Sequence, residues 1–383
     1  MRFLHLADLH LGKQLNGFSL AEDQAYILKQ IVALACEHHV DTVLIAGDIY
    51  DRALPSADAV ELLDTFLTDL SAAGINVVAI PGNHDSAQRV AYGSALLAAQ
   101  NIYLAKPYTG TLCPIPFTDE YGDVIIWPIP FMRPAHIRPY HSDGEFGSNY
   151  SAALETMLAT APFDLHVRNI ALVHQLIVSG SLSPEVSDSE ITLGTLEAID
   201  SSVLDKFDYV ALGHIHRPQR IGRDTMRYAG SPLKYSASEA RYDKSAVLVD
   251  LKEKGDITCT LLPLVPLHDV RVITGPLHEL VAPKIVQTGD AHDYIYAQIT
   301  DDTLPLDTQA ELRLAYPNLI GLEHRPASRS SDTFEPLVLQ TTQARDPLAL
   351  FEQFFLEQNQ RELTDDERAL TVVALSESRE PKN

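Results

Sequence analysis

One unit repeats through the first hundred residues: an apolar run of five or six residues, a polar loop, then a segment with helical spacing of its apolar side chains. FLHLA (3–7) leads into Asp8-Leu9-His10, TVLIA (42–46) into Gly47-Asp48-Ile49-Tyr50-Asp51, and INVVAI (75–80) into Pro81-Gly82-Asn83-His84-Asp85. Between these runs, Ile27, Ile31 and Leu34 share one helical face, and Val60, Leu63, Phe66, Leu67 and Leu70 share another over residues 56–72. Ser19-Leu20-Ala21-Glu22 has the pattern of a capping box and predicts the start of the first helix. Strand, helix and strand in succession predict parallel pairing with right-handed crossovers, so the fold class is α/β.

That topology carries a geometric consequence. Parallel strands end on one edge of a sheet, which is where open α/β sheets bind their ligands. Asp8, His10, Asp48, Asn83 and His84 are therefore expected to meet, and the glycines before Asp48 and Asn83 leave room for tight turns. Two later apolar runs end the same way: RNIALVH (168–174) delivers His174, and YVALGHIH (209–216) delivers His214 and His216.

Any one of these features alone is unremarkable as a signal. An Asp-x-His is usually a turn or a cap, Asn-His-Asp after Pro-Gly makes a good loop, and a His-x-His pair arises by chance in a chain with 15 histidines. Together they all follow apolar strand candidates at spacings that allow complete βαβ units. The set suits two divalent cations about 3.5–4 Å apart, which need a bridging carboxylate, and Asp48 is the best placed for that role. Oxygen and imidazole donors without thiolate favour Mn²⁺, Fe²⁺ or Zn²⁺. Such a pair would activate a water to attack phosphorus, and His84 could donate a hydrogen bond or a proton to the phosphoryl group.

Charge argues in two directions. The net charge of −23 is unlike the basic footprint of most nucleic-acid binders. Between Asp205 and Lys244, however, eight Lys/Arg stand against five Asp/Glu, and this stretch begins beside His214 and His216. Arg217, Arg220 and Lys234 within it are candidate phosphate contacts; the alternative is an ordinary solvated face of mixed charge. Cys36, Cys113 and Cys259 are few, odd in number and far apart, which predicts a reducing, cytoplasmic setting without a disulfide frame or a thiolate metal site. No apolar stretch is long enough for a membrane span or a signal peptide.

DxH, GDxxD, GNHD, a later His and GHxH, in this order from residue 8 to 216, resemble the calcineurin-like metallophosphoesterase superfamily. The resemblance implies a two-sheet sandwich flanked by helices around a dinuclear metal centre. It assigns Asp8, His10, Asp48 and His216 to one ion and Asp48, Asn83, His174 and His214 to the other, with His84 assisting phosphate chemistry. Asp51 stands where purple acid phosphatases carry a metal-binding tyrosine, and Tyr50 is one residue out of that register. This argues against a redox-active iron site and makes Asp51 a support for the ligands.

DLHLGKQLNGFSLAEDQ (8–24), GNHDSAQR (82–89), SDSE (187–190), ALGHIHRPQR (211–220) and AGSPLKYSASEA (229–240) further resemble the nuclease subunits of bacterial SbcCD complexes. Thr195 and Ala237 depart from that pattern at positions with no proposed ligand. The resemblance implies a Mn²⁺-dependent DNA nuclease, exonucleolytic on duplex ends and endonucleolytic on hairpins or single strands. It implies a homodimer working in DNA repair and recombination with the SMC-like ATPase SbcC. The alternatives are a metallophosphoesterase acting on a small phosphodiester or nucleotide, and a non-enzymatic scaffold of the same fold.

KSAVLVDLKEKGDITCTLLPL (244–264) predicts two strands closing the sandwich, for a nuclease domain over 1–265. After Pro266 come strand-like VRVIT (270–274) and YIYAQIT (294–300), helix-like TQAELRLAY (308–316) and LIGLEHR (319–325). They form a small α+β unit over 266–333, which the resemblance makes a capping domain that orients DNA. The polar ASRSSDT (327–333) predicts a linker. Beyond it, Leu348, Phe351 and Phe355, then a capping box at Thr364-Asp365-Asp366-Glu367, predict amphipathic helices within 334–383. These helices pack on their own domain or, as the resemblance implies, dock on the ATPase.

Overall fold

A computed structural model describes residues 1–141, 147–190 and 197–326, together with Thr364, Glu367, Arg368 and Thr371. The chain divides into two compact units, 1–327 and 328–383. In the first unit the strands Arg2–Leu6, Thr42–Ala46, Asn76–Ile80 and Ile102–Leu104 pair in parallel, in that order. Lys244–Leu251 adds antiparallel to the other side of Arg2–Leu6, and Ile257–Leu264 closes the sheet as a hairpin partner.

A second six-stranded sheet has Arg168–His174 at its centre. It pairs in parallel with Gly122–Ile129 on one side and Tyr209–Gly213 on the other. The two sheets face each other, and the side-chain alternation of each strand fills both sides. Phe3, Leu44, Ala46, Val78 and Ile80 point between the sheets, against Ile126, Ile170, Leu172, Tyr209 and Ala211. Their sequence neighbours Leu4, Leu6, Val43, Ile45, Val77 and Ala79 pack on the outer side beneath the helices Ala21–Glu37 and Ala57–Ala72. Strands buried on both faces read as continuous apolar runs, which is why these segments stand out in the sequence. His5 is also buried between the sheets, 3.0 Å from Tyr209 Oη and 3.1 Å from Leu212 O, and serves structure rather than chemistry.

Two expectations need correction. The Ser19–Glu22 capping box does not form. Ser19 pairs with Gln14 in a tiny hairpin, the helix begins after Leu20, and the Ser19 hydroxyl accepts only from Ala21 N. Val60 leaves the apolar face of its helix and is 46% exposed, while Leu63, Phe66, Leu67 and Leu70 are buried.

Past residue 266 the strands Val270–Gly275, Tyr294–Ile299 and Leu319–His324 form a parallel three-stranded sheet. The helix Thr308–Ala315 covers it through Leu312, over a core of Leu277, Leu280, Ile295, Ala297 and Ile299. Val270, Tyr294 and Ile320 on the other side join the cluster around the helix Ala21–Glu37. Leu348, Phe351, Phe355, Thr195 and the stretch 327–333 lie outside the described residues. At Thr364 the expected capping box closes: Thr364 N donates to Glu367 Oε2 at 2.9 Å and Glu367 N to Thr364 Oγ1 at 3.4 Å. Among the described residues no helix is long and apolar enough to cross a membrane.

Candidate metal centre

The chain is sharply bent where the strands end. Asp8, His10, Asp48 and His214 have φ angles of 53°, 44°, 47° and 100°. Side chains held in such backbone cost about 1–3 kcal/mol each and concentrate at functional sites. The loops nevertheless continue the pairing of their strands, with Asp8 N donating to Gly47 O and His10 N to Asp48 O, both at 3.0 Å. The glycines make room for this crowding. A Cβ on Gly47 or Gly213 would overlap the His174 ring, and one on Gly82 would overlap Asp48.

All the strand-end residues singled out in the sequence converge. His174 Nδ1 donates to Ala46 O at 2.8 Å, which leaves Nε2 facing Asn83 Oδ1 at 2.9 Å and Asp48 Oδ2 at 3.3 Å. His214 Nδ1 approaches the same Asn83 oxygen at 3.0 Å, and His214 N donates to Asp8 Oδ1 at 2.9 Å. On the other side, His10 Nε2 lies 3.1 Å from His216 Nε2 and 3.6 Å from Asp48 Oδ2. Asp48 thus sits between two groups of imidazoles. His84 N donates to Asp48 Oδ1 at 2.9 Å, and its ring is anchored by Nδ1 on Asp51 O at 2.9 Å. Asp51 itself bonds Lys13 Nζ at 2.8 Å and stands 3.6 Å from His10 Nδ1, behind the donors rather than among them.

The electrostatics are those of a cation site. Burial raises the Asp8 carboxyl to about 8, with His174 opposing the rise and Asp48 adding to it. Burial would raise Asp48 too, but His174, then His10 and His84, outweigh it and hold Asp48 well below the usual carboxylate range. The His174 ring is lowered by burial, yet the facing carboxylates of Asp48 and Asp8 prevail and lift it to about 9. Burial pushes His10 down to about 4 and His214 to about 3, and it lowers His216, so these three imidazoles are neutral donors at physiological pH.

Residues of this kind fit a divalent metal. Asp8 Oδ2 and His10 Nδ1 are buried and, among the described residues, lack a hydrogen-bond partner. A buried carboxylate oxygen left so is costly unless a cation answers it. Asp8, His10 and His216 bring one donor atom each within 4.8 Å of one another, as do Asp8, Asp48 and His174.

Several participants went unassigned in the sequence. Asp85 accepts from Ile49 N, Tyr50 N and Gly82 N at 3.0, 2.9 and 2.9 Å, clamping the two ligand-bearing loops together. Glu190, Glu239 and Lys244 gather behind His216. The sequence signal for Glu190 and Glu239 is that SDSE and AGSPLKYSASEA stand out as motifs without a metal ligand, and Lys244 is marked as the first residue of a strand. The candidate phosphate contacts have partners of their own. Lys234 bonds Asp269 at 2.8 Å with only 11% of its side chain exposed, and so braces the third sheet. Arg217 pairs with Glu185, and Arg220 with Asp224 at 2.5 Å, both near the surface, where such pairs are weak and exchangeable.

Residues 1–218, which carry every one of these strand ends, match the family model of the calcineurin-like phosphoesterases. The chain belongs to the calcineurin-like phosphoesterases. It is a phosphoester hydrolase of a family that uses dinuclear metal sites. Residues 266–359 match the SbcD C-terminal model, described as the type 5 capsule protein repressor C-terminal domain, which puts this phosphoesterase with the SbcD type. Among solved structures it is similar to a dimetal phosphatase from Danio rerio, at 15% identity and TM-score 0.41, covering 69% of this chain and 96% of that one. It is also similar to GAP50, the anchor in the inner membrane complex of Plasmodium, at 15% identity and TM-score 0.39, covering 86% and 98%. Likeness at this level says nothing about substrate.

Proposed function

We propose that this phosphoesterase is a Mn²⁺-dependent DNA nuclease, attacking duplex ends as an exonuclease and hairpins or single strands as an endonuclease, within an SbcCD-type complex for repair and recombination. The observation that carries the hydrolytic part is the convergence of Asp8, His10, Asp48, Asn83, His174, His214 and His216 around the unpartnered Asp8 Oδ2. Support for DNA as substrate comes from the SbcD-type segment that follows the sandwich.

Asp8, His10, Asp48 and His216 would hold one ion and Asp48, Asn83, His174 and His214 the other, with Asp48 between them. The ions would polarise the phosphoryl oxygens and bring a water's pKa towards neutrality. The protein's part is to orient and to move protons. His174 is fixed by its Nδ1 bond to Ala46 O, which keeps Nε2 turned towards Asn83 Oδ1 and Asp48. His84, anchored through Nδ1, directs Nε2 away from Asp51 and, when protonated there, donates to the leaving oxygen. Arg217 and Arg220 exchange their surface carboxylates for phosphates of the bound strand. We divide the chain for this purpose into a nuclease domain (1–265), a DNA-orienting domain (266–333) and a segment for docking SbcC (334–383). On the same reading the chain acts as a homodimer.

The test is cleavage of end-labelled linear duplex by the purified protein with Mn²⁺, beside EDTA and the His84→Ser variant. Wild type alone should shorten the DNA, and His84→Ser should lose on the order of 10²–10⁴-fold in rate. DNA that survives even with the ATPase partner and ATP, while a small phosphodiester is turned over, would replace the nuclease reading with that of a small-molecule phosphoesterase.

A further inference from the structure

Two motifs, SDSE (187–190) and AGSPLKYSASEA (229–240), carry no proposed ligand, yet both fold around one residue, His216. Its ring Nε2 faces His10 in the centre, and its Nδ1 faces the opposite way, 2.9 Å from Ser189 Oγ and 3.4 Å from Glu239 Oε1. The Ser189 hydroxyl in turn donates to Glu239 Oε1 at 2.6 Å, and Lys244 Nζ donates to Glu239 Oε2 at 2.5 Å. The main chain of His216 is held as tightly. Its N–H donates to Glu190, and its carbonyl accepts from Ser231 N at 3.1 Å and from Lys244 Nζ at 2.8 Å. Gly230 lets this happen, because a Cβ there would overlap the His216 carbonyl.

The arrangement is expensive for a merely structural feature. Glu239 and Lys244 are an ion pair with side chains 0% and 4% exposed, and burying such a pair seldom adds stability over well-packed apolar residues. What it does supply is direction. With Nδ1 donating into a hydroxyl–carboxylate–ammonium chain, the proton of the neutral ring is fixed on Nδ1 and the lone pair on Nε2. The imidazole is also barred from turning over. Carboxylates behind ligating histidines have this effect on metal sites generally.

We propose that Ser189, Glu239 and Lys244 are positioning residues that fix His216 as an Nε2 donor and thereby set the metal affinity of the Asp8–His10–His216 side of the centre. The other side, where His174 is braced by Ala46 O, does not depend on them. The inference rests on the two-metal reading above.

The experiment is equilibrium dialysis of the full-length protein against Mn²⁺ with bound metal counted, for wild type, Ser189→Ala, Glu239→Gln and the double variant Glu239→Gln/Lys244→Met. The double variant removes both buried charges together and guards against a misfolded single variant. Melting of the metal-free proteins is the fold control. Wild type should bind two ions, and each variant should keep one at wild-type affinity and bind the other about 10–100-fold more weakly. Folded variants that bind both ions as wild type does would overturn the relay and leave the metal centre standing. A wild-type protein that binds no Mn²⁺ would overturn the two-metal reading and the relay with it.

Discussion

At Gly213 the two sheets come so close that a Cβ would overlap both Ala46 O and the His174 ring. Gly213→Ala is therefore expected to cost about 1–3 kcal/mol of stability through overpacking. It should also weaken metal binding, because His174 has to move; denaturation curves and a Mn²⁺ titration would read the two effects separately. Proton linkage is a second prediction at this scale. With Asp8 raised by burial and His174 raised by the facing carboxylates, the Asp8–His174 pair retains bound protons at neutral pH before a cation arrives. Binding must expel them, so affinity should climb as pH rises from 6.5 to 8.5, and titration calorimetry in buffers of different ionisation enthalpy should show proton release at pH 7. No release at pH 7 would remove His174 and Asp8 from the ligand set. The ligand candidates were legible because each is a polar residue directly after a strand buried on both faces. Asp85, Glu239 and Lys244 were not, since what they hold lies on other loops: Asp85 grips Ile49 and Tyr50, and Glu239 grips His216 from 23 residues away.

The two helices of the first repeat show how far local signals reach. Both have a serine near the start, but only Ser56 is a cap, accepting from Ala59 N at 3.3 Å. Ser19 has the better motif and no such role, because the hairpin with Gln14 fixes it in extended backbone two residues before the helix. Ser56→Ala should thus lower stability by about 0.5–2 kcal/mol, whereas Ser19→Ala should change it by less than about 0.5 kcal/mol. Equal losses in denaturant unfolding would show that the box at residue 19 forms after all. The strands that were read lie within about a residue of those found, since their apolar runs have no competing interpretation. Gly122–Ile129, which pairs with the His174 strand, and Arg223–Tyr228 were not read at all. What periodicity alone could not reveal was that Val60, on an apolar stripe, faces outwards.

For the molecule as a whole, a net charge of −23 means that long-range attraction would not hold DNA on this chain, so on the proposed nuclease reading shape and contacts would have to do so. The third sheet is held in place by a small set of polar contacts. Tyr294 Oη donates to the buried Asp23 Oδ2 at 2.9 Å, His268 N donates to Asp23 Oδ1 at 3.0 Å, and Asn16 Nδ2 donates to Ile320 O at 2.6 Å. All three reach from the 14–19 hairpin or the helix Ala21–Glu37, the elements immediately after Asp8 and His10 in the chain. Tyr294→Phe deletes one donor and leaves a carboxylate oxygen partly unanswered, at a cost of about 1–3 kcal/mol. That loss falls on the attachment of the sheet, since the catalytic strands make none of these contacts. If the third sheet aligns DNA with the metal centre, Tyr294→Phe should slow duplex cleavage, leave hydrolysis of bis-p-nitrophenyl phosphate unchanged, and raise amide exchange over residues 266–326. An equal fall in both activities would mean instead that the contact supports the metal loops themselves, and that DNA is aligned from elsewhere.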